Sequence, residues 1–265
     1  RIYEISPKIF SLIFRHRLTN QFKGISNVAD MQAVVRSYMD KLIQLTTSRF
    51  TVSGLDRLPN NKACLFISNH RDIAMDPAFI NYALYSDGRQ TARIAIGDNL
   101  LSKSWVSDIM RLNKSFVVKR SAGGPRELIL AMRLLSNYID QSLKIDNAPV
   151  WLAQKEGRAK DGVDRTEPAV IKMLDLCRDK KERSFSEHIE SLSIVPVAIS
   201  YELDPCDALK AQELYEIENT GYYSKDTHED ILSIGRGISG YKGKVSVAFG
   251  NVISSDLSNP IEVSH

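Results

Sequence analysis

The sequence is poor in several features that would mark a particular protein class. Its 265 residues include three cysteines, Cys64, Cys177 and Cys206, an odd number without the spacing of a metal site. We expect them to be reduced, mostly buried thiols of a cytoplasmic protein. No uninterrupted apolar run reaches the length of a transmembrane helix, and no signal-peptide pattern is present.

The charge is also close to balanced. Lys and Arg total 35 against 32 Asp and Glu, and the resulting net charge of +3 does not favour nucleic acid as a partner. A hydrophobic content of 43% is ordinary for a soluble globular protein whose length allows a sizeable core. The chain begins at Arg1 rather than at a methionine, so we expect it to be a piece of a longer protein.

What the sequence does contain is a short apolar run followed by a histidine and a carboxylate. Residues 64–67 are typical of a buried strand, and His70 follows on a loop at its carboxyl end. Open α/β sheets place their chemistry at that edge. Asp76 and Pro77 then predict a helix that has Asp76 as its N-cap. If Asp76 accepts a hydrogen bond from one ring nitrogen of His70, the other nitrogen is free to act as a general base.

Other interpretations of these residues stay open. A single histidine on a loop can be structural, and Asp76 can be an N-cap only. Asp72 is a second carboxylate near His70, predicted to be a solvated turn residue because nothing in the sequence fixes it. No Gly-x-Ser-x-Gly motif or other nucleophile is present, which favours a base that activates the substrate's own hydroxyl over a covalent mechanism.

Apolar runs of strand length alternate with segments of helical periodicity along the chain. The predicted strands are 50–52, 64–67, 92–96, 115–118, 149–153, 194–199 and 244–249, and the predicted helices are 27–47, 76–85, 100–112, 125–143, 168–177 and 226–239. This alternation predicts an α/β fold, a single layered domain with a largely parallel central sheet flanked by helices. Residues 179–187 are predicted to be a charged surface connection.

The start of the chain is predicted to differ from the rest. Residues 1–48 form an N-terminal helical segment, and residues 49–265 form the α/β domain. Within the first segment, residues 2–18 carry apolar and basic side chains in an amphipathic pattern. Such a segment can lie in a membrane interface or can dock on its own domain, and the sequence leaves both open.

Basic residues follow two of the predicted strands. Lys119 and Arg120 come after strand 115–118, and Arg158 follows strand 149–153. In a parallel sheet these ends lie on the same edge as His70. Each arginine alone can be a solvated surface residue. Together they predict a site for a phosphate-bearing substrate, because the planar guanidinium binds phosphate oxygens bidentately.

Four segments resemble the motif blocks of the glycerol-3-phosphate and 1-acylglycerol-3-phosphate acyltransferases and occur in the same order. They are residues 69–76, 116–120, 156–162 and 194–199. The resemblance covers about residues 50–255, and as a set the blocks are specific. Tyr201 and Glu202 are similar to the glycerol-3-phosphate branch in particular. Two spacings differ from the family pattern: His70 and Asp76 are separated by five residues instead of four, and Arg158 directly follows Gly157.

The resemblance implies a role for each matching residue. His70 would be the base that removes the proton of the acceptor hydroxyl, and Asp76 would orient it. The other implied residues are Arg120 and Arg158 on the acceptor phosphate, Lys119 and Lys160 near it, Glu156 and Gly157 shaping the loop, and Pro196 positioning the acyl chain. The donor would be an acyl thioester on coenzyme A or acyl carrier protein. No acyl-enzyme, metal or other cofactor is implied.

The resemblance also implies a setting for the protein. It would act in phospholipid biosynthesis as a peripheral protein on the cytoplasmic face of the inner (plasma) membrane. Its partners would be the thioester carrier, a phosphorylated glycerol acceptor and the membrane surface, with no nucleic acid. The alternatives are a different polar-lipid acceptor, a non-catalytic relative that binds membranes or an acyl carrier, and a hydrolase, for which a nucleophile motif is lacking.

Overall fold

The protein is described by a computed structural model that covers residues 24–98, 113–119, 123–226, 228–253 and 259–264. Within these ranges the strands are β1 Arg49–Ser53, β2 Leu65–Ser68, β3 Arg93–Gly97, β4 Ser115–Val118, β5 Val150–Ala153, β6 Ile194–Tyr201 and β7 Lys244–Phe249. The helices are α1 Val28–Thr46, α2 Met75–Ser86, α3 Pro125–Lys144, α4 Pro168–Leu174, α5 Phe185–Ser191, α6 Asp207–Thr220, α7 Glu229–Ser239 and α8 Pro260–Ser264.

The seven strands form one sheet in the order β1-β7-β6-β2-β5-β3-β4. Neighbours from β6 through β4 are parallel, whereas β7 runs antiparallel to β6 and pairs in parallel with β1. The largely parallel α/β sheet predicted from the alternating pattern is therefore confirmed. The carboxyl ends of β2, β3, β4, β5 and β6 lie along one edge of the sheet, which is called the carboxyl edge below.

Strand β2 lies in the middle of the sheet and is buried on both faces. All four of its residues are buried, as a parallel strand covered on both sides requires. Phe66 packs on one face with Trp151 of β5 and the apolar side of α2. Ile67 packs on the other face with Leu152 and with Ile139 of α3. The loop that follows β2 therefore starts from a strand that packs into a hydrophobic core on each face of the sheet.

Helix α1 is part of the same packing. The side chain of Asn27 caps its first turn by accepting from the backbone N–H of Asp30, and Met39 is buried in the core shared with α2. Residues 1–23, including the amphipathic stretch 2–18, lie outside the described residues, as does the predicted helix 100–112. Among the helices that the structure describes, none is long and apolar enough to cross a membrane.

Two local predictions were wrong, and one helix was missed. Helix α2 begins at Met75, and Ala74 rather than Asp76 is its N-cap, because Asp72 supplies the capping hydrogen bonds. The stretch predicted as a surface connection contains the start of α5, whose capping box joins Ser184 and Glu187. Helix α6 was not predicted, because most of its residues are polar and exposed and it has little apolar periodicity.

Candidate active site

His70 and Asp76 are in direct contact. The His70 Nδ1 atom lies 2.9 Å from Asp76 Oδ2, and the Asp76 side chain is fully buried. The His70 ring packs edge-on against Trp151, with ring centroids 5.5 Å apart. Within the described part of the chain, no residue hydrogen bonds to Nε2 of His70. The ring therefore has one nitrogen held by a carboxylate and the other available for a substrate proton.

Asp76 is the centre of the hydrogen bonds that shape this loop. Its Oδ2 accepts from the backbone N–H of Arg71 at 2.6 Å and of Asp72 at 2.9 Å, in addition to His70. Its Oδ1 accepts from the Tyr201 hydroxyl at 2.5 Å. Burial and the charges of Asp76 and Asp72 raise the pKa of Tyr201 far above its usual value, so the phenol remains a donor. His70, Arg71 and Asp72 therefore all contact the same carboxylate oxygen of Asp76.

Asp72 is not the solvated turn residue that the sequence predicted. It is 5% exposed, and its Oδ1 accepts from the backbone N–H groups of Ala74 and Met75 at 3.0 and 2.9 Å. Its Oδ2 packs against Gly237 of α7, where an added Cβ would lie only 1.9 Å away. Burial, followed by the charge of Asp76, raises the pKa of Asp72. Asp72 thus joins the His70 loop to α2 and α7.

Two more side chains, those of Asn69 and Lys210, join the His70 loop to distant elements. The amide of Asn69 pairs with the backbone of Ile199, accepting from its N–H and donating to its carbonyl, both at 2.8 Å. The ammonium of Lys210 on α6 donates to the Arg71 carbonyl at 2.7 Å and forms an ion pair with Asp204. None of these contacts was predicted, because the partners lie on β6 and α6, far along the chain.

The loop after β5 brings Arg158 to the same place. The backbone N–H of Ala159 donates to the His70 carbonyl at 2.7 Å, which joins the two loops. The Arg158 Nη2 atom lies 3.4 Å from Ser233 Oγ on α7, and its charge offsets a small part of the rise in the pKa of Asp72. Gly157 has φ of +75°, a left-handed conformation that favours glycine. The shortened Glu-Gly-Arg block thus still directs its arginine toward the His70 loop.

The other residues implied in phosphate binding are placed differently. Lys160 forms an ion pair with Glu213 of α6, and Glu156 is exposed. Lys119 is exposed at the end of β4, three strands from β2 and therefore about 14 Å away at strand level. Arg120 lies outside the described residues. The structure therefore brings Arg158 close to His70 but does not bring Lys119 there.

Arg71 is a cation beside His70 that sequence reasoning missed. Its Nη2 atom donates to Asp164 Oδ2 at 2.7 Å, and Asn69 donates to the same oxygen at 3.2 Å. The signal for Arg71 was its position next to the proposed base on the loop. The Arg71 guanidinium is therefore paired with a carboxylate, and it could bind an anionic substrate only by leaving Asp164.

A groove of about 410 Å³ lies on the sheet face opposite Trp151, and it runs from Gln154 at the carboxyl edge to Ile194 at the start of β6. Its apolar walls include Ile67, Ile171 and Pro196, the residue that the resemblance assigns to the acyl chain. The Gln154 side chain also lines it, and its buried Nε2 has no hydrogen-bond partner among the described residues. The groove is mostly apolar and contains one N–H donor, Gln154 Nε2, that has no partner among the described residues.

A different group of side chains has the geometry of a metal site. Ligand atoms of Asp140, Cys177 and His188 lie within 4.8 Å of one another, near the C-terminal half of α3 and away from His70. However, Asp140 is paired with Lys144, and His188 Nε2 lies 3.0 Å from the Leu174 carbonyl. These contacts already use the carboxylate and the ring nitrogen, so we assign no role to the cluster.

Comparisons with known proteins identify the family. A family model described as acyltransferase matches residues 49–200, and the chain belongs to the acyltransferase family. A crystal structure of the 1-acyl-sn-glycerophosphate (LPA) acyltransferase from Thermotoga maritima shares the fold, with a TM-score of 0.53, over 95% of this chain and 83% of that one at 11% identity.

Two relatives are similar in sequence. The dihydroxyacetone phosphate acyltransferase of Mus musculus is 24% identical over 204 residues, and the Homo sapiens protein of that name is 23% identical over the same length. The aligned part is 77% of this chain but 28% of each relative, so the chain spans little more than a quarter of their length. These matches confirm the glycerolipid acyltransferase family indicated by the motif blocks.

Proposed function

We propose that this protein transfers an acyl group from an acyl thioester to the hydroxyl of glycerol-3-phosphate or 1-acylglycerol-3-phosphate. The observation that carries the proposal is His70 held by buried Asp76, with no partner among the described residues on its second ring nitrogen, beside a loop that presents Arg158. Dihydroxyacetone phosphate, named for the two relatives, also has a primary hydroxyl and a phosphate and belongs among the acceptors to be tested.

The chemistry needs one base and no acyl-enzyme. His70 Nε2 takes the proton from the acceptor hydroxyl as its oxygen attacks the thioester carbonyl carbon. The new C–O bond forms, the C–S bond breaks, and the leaving thiolate takes the proton from the imidazolium. The Asp76 carboxylate, which backbone N–H groups hold in place, stabilises the protonated ring.

Arg158 is our candidate for binding the acceptor phosphate, and Arg71 would join it by leaving Asp164. Both lie on loops that meet at His70, so a phosphate bound there would place a nearby hydroxyl at the base. Lys160 would take part only by leaving Glu213. Lys119 would serve the thioester or the membrane instead, because it lies three strands away.

The acyl chain is proposed to occupy the groove lined by Pro196 and Ile67. A chain whose carbonyl is at His70 would pass over the carboxyl edge to enter it, and a substrate oxygen there would satisfy Gln154 Nε2. The carrier is coenzyme A or acyl carrier protein. The protein would act as a peripheral protein on the cytoplasmic face of the inner membrane, with residues 1–18 helping to hold it on the bilayer.

The test is product formation from a labelled acyl thioester with each of the three acceptors. His70→Ala should lower the rate of ester formation by about 100- to 10,000-fold, the usual contribution of a general base. His228→Ala, which changes an exposed histidine outside the site, should leave it unchanged. Normal turnover by a folded His70→Ala protein would disprove the mechanism. Release of free acid without any ester product would favour a hydrolase.

A further inference from the structure

Helix α3 is much longer than the strands that it connects. Its 20 residues span about 30 Å, whereas the four residues of β4 or β5 span about 13 Å. The C-terminal half is fixed at the opposite edge of the sheet, where Arg93 at the start of β3 donates to Ser142 Oγ at 2.8 Å. The N-terminal half of α3 therefore extends past the carboxyl edge, which is also the edge of the sheet at which His70 lies.

This extended half exposes large apolar side chains. The buried residues of α3 begin only at Ser136. Before it, Leu130 is 65% exposed and Leu134 is 69% exposed, and Ile129 and Met132 are exposed next to them. These four residues are called the α3 patch. Clustered exposed side chains of this kind mark an interaction surface, whereas single ones need no explanation.

The charged residues around the α3 patch are mainly basic. Arg126 and Arg133 are exposed on the same half of the helix, and exposed Lys119 ends the strand that leads to it. The one carboxylate in the first turn, Glu127, accepts from the backbone N–H of Gly123 and so serves the helix start. Apolar side chains flanked by arginines are the pattern of a helix that lies in the interface of an anionic bilayer.

We propose that the α3 patch docks on an anionic lipid bilayer. Docking there would turn the carboxyl edge, with His70 and the groove, toward the membrane from which a lipid acceptor or acyl chain arrives. This reason for docking rests on the proposed function, but binding is measured without turnover. A contact between two copies of this chain fits the patch less well. A symmetric contact would bring the arginines of both copies into one interface, where their like charges repel.

The experiment uses the full chain and sedimentation with vesicles of phosphatidylglycerol and phosphatidylcholine. Leu130→Glu/Leu134→Glu should lower the vesicle partition coefficient at least about tenfold, because two leucines lose their burial in the interface. The matched control is Ile145→Glu, which replaces a side chain 77% exposed at the far end of α3. It should bind as the wild type does.

A second pair of variants tests the charges. Arg126→Gln/Arg133→Gln should lower partition by about fivefold per residue at low salt and should reduce the salt dependence. Lys180→Gln/Lys181→Gln, a change of two exposed lysines outside this surface, should do neither.

Three results would overturn the proposal. They are equal partition of the leucine variant and the wild type, an equal loss in the Ile145→Glu control, and a dimer in light scattering that the leucine substitutions dissociate. A protein that binds vesicles as described but forms no ester would contradict only the proposed function.

Discussion

The loop that carries His70 and the loop that carries Arg158 are neighbours, yet they are built in opposite ways. The first is organised around two buried carboxylates, Asp72 and Asp76, which accept from the backbone of the loop itself. The second is mostly exposed from residue 161 to residue 165, and one of its charges, Lys160, is paired with a side chain on another element. They meet at the backbone hydrogen bond to the His70 carbonyl.

The two loops differ in structure because a general base and a phosphate-binding arginine need different degrees of positioning. A general base works only when its nitrogen is held within hydrogen-bond reach of the proton, so its loop needs internal, buried hydrogen bonds. A phosphate carries several equivalent oxygens and tolerates small shifts of an arginine. Substitutions in the first loop should therefore affect both rate and stability, whereas substitutions in the second should affect acceptor binding alone.

The largest effect is expected for Asp76→Asn. The rate should fall by about 100- to 10,000-fold, because the neutral amide no longer stabilises the protonated His70. Stability should fall too, by about 1–3 kcal/mol for each buried donor left unpaired, since an amide has one acceptor oxygen for four donors. Urea unfolding checks this second result. Wild-type stability would show that the network around Asp76 is not structural.

Arg158→Ala should have the next largest effect, and only on binding. Loss of a hydrogen bond to a charged group costs about 1.5–3 kcal/mol, so the acceptor KM should rise roughly 10- to 100-fold. The thioester KM and the unfolding free energy should stay near wild type. Arg165→Ala, in an exposed part of the same loop, is the matched control. A larger change in the thioester KM would assign Arg158 to the donor.

Asp72→Ala should mainly reduce stability. The loss of a helix cap costs about 0.5–2 kcal/mol, and the rate should fall less than in Asp76→Asn because Asp76 keeps its contact with His70. Asp72→Asn retains the acceptor oxygen, so its activity should stay close to wild type and its stability should not fall. Thermal unfolding of both variants is the measurement. If Asp72→Asn loses its activity while Asp76→Asn keeps it, Asp72 is the partner of the base.

The smallest effect concerns pH. The pKa of Asp72 is raised in the fold by burial and by Asp76, so protonation favours the folded state. Its contribution to stability is present below the ordinary pKa of 3.8 and is lost as the pH rises through the higher folded value. The stability of Asp72→Asn relative to wild type should therefore increase from pH 4 upward. A constant difference would mean that Asp72 does not titrate in this way.

Local sequence patterns were enough to predict much of this architecture. The strand, His70 and the carboxylate six residues later lie within one short segment, so spacing predicted their meeting. The same spacing led to the wrong helix cap, because Asp72 and Asp76 both precede the apolar face of α2 and Asp76 was predicted as the cap. Asp72 rather than Asp76 supplies the capping hydrogen bonds, and Asp72 is buried against Gly237 of α7. No local pattern encodes this contact between residues 165 positions apart.

Residues that support the site from a distance were missed for the same reason. Helix α6 has few apolar positions, yet it supplies Lys210 to the Arg71 carbonyl and Glu213 to Lys160. Its helical pattern was weak because its inward-facing residues include charged groups that pair with the loops. The family resemblance could assign Lys160 to a phosphate, but no local pattern indicates that a carboxylate on α6 already pairs with it.

The contacts of Tyr201 with Asp76 and of Asn69 with Ile199 join residues 125 and 130 positions apart. Such contacts form slowly, because a long loop of chain must close before they are gained. During synthesis, a nascent chain that has not yet released β6 has His70 but neither β6 partner of its loop. We therefore expect the His70 loop to reach its final conformation late in folding, after β6 has joined the sheet.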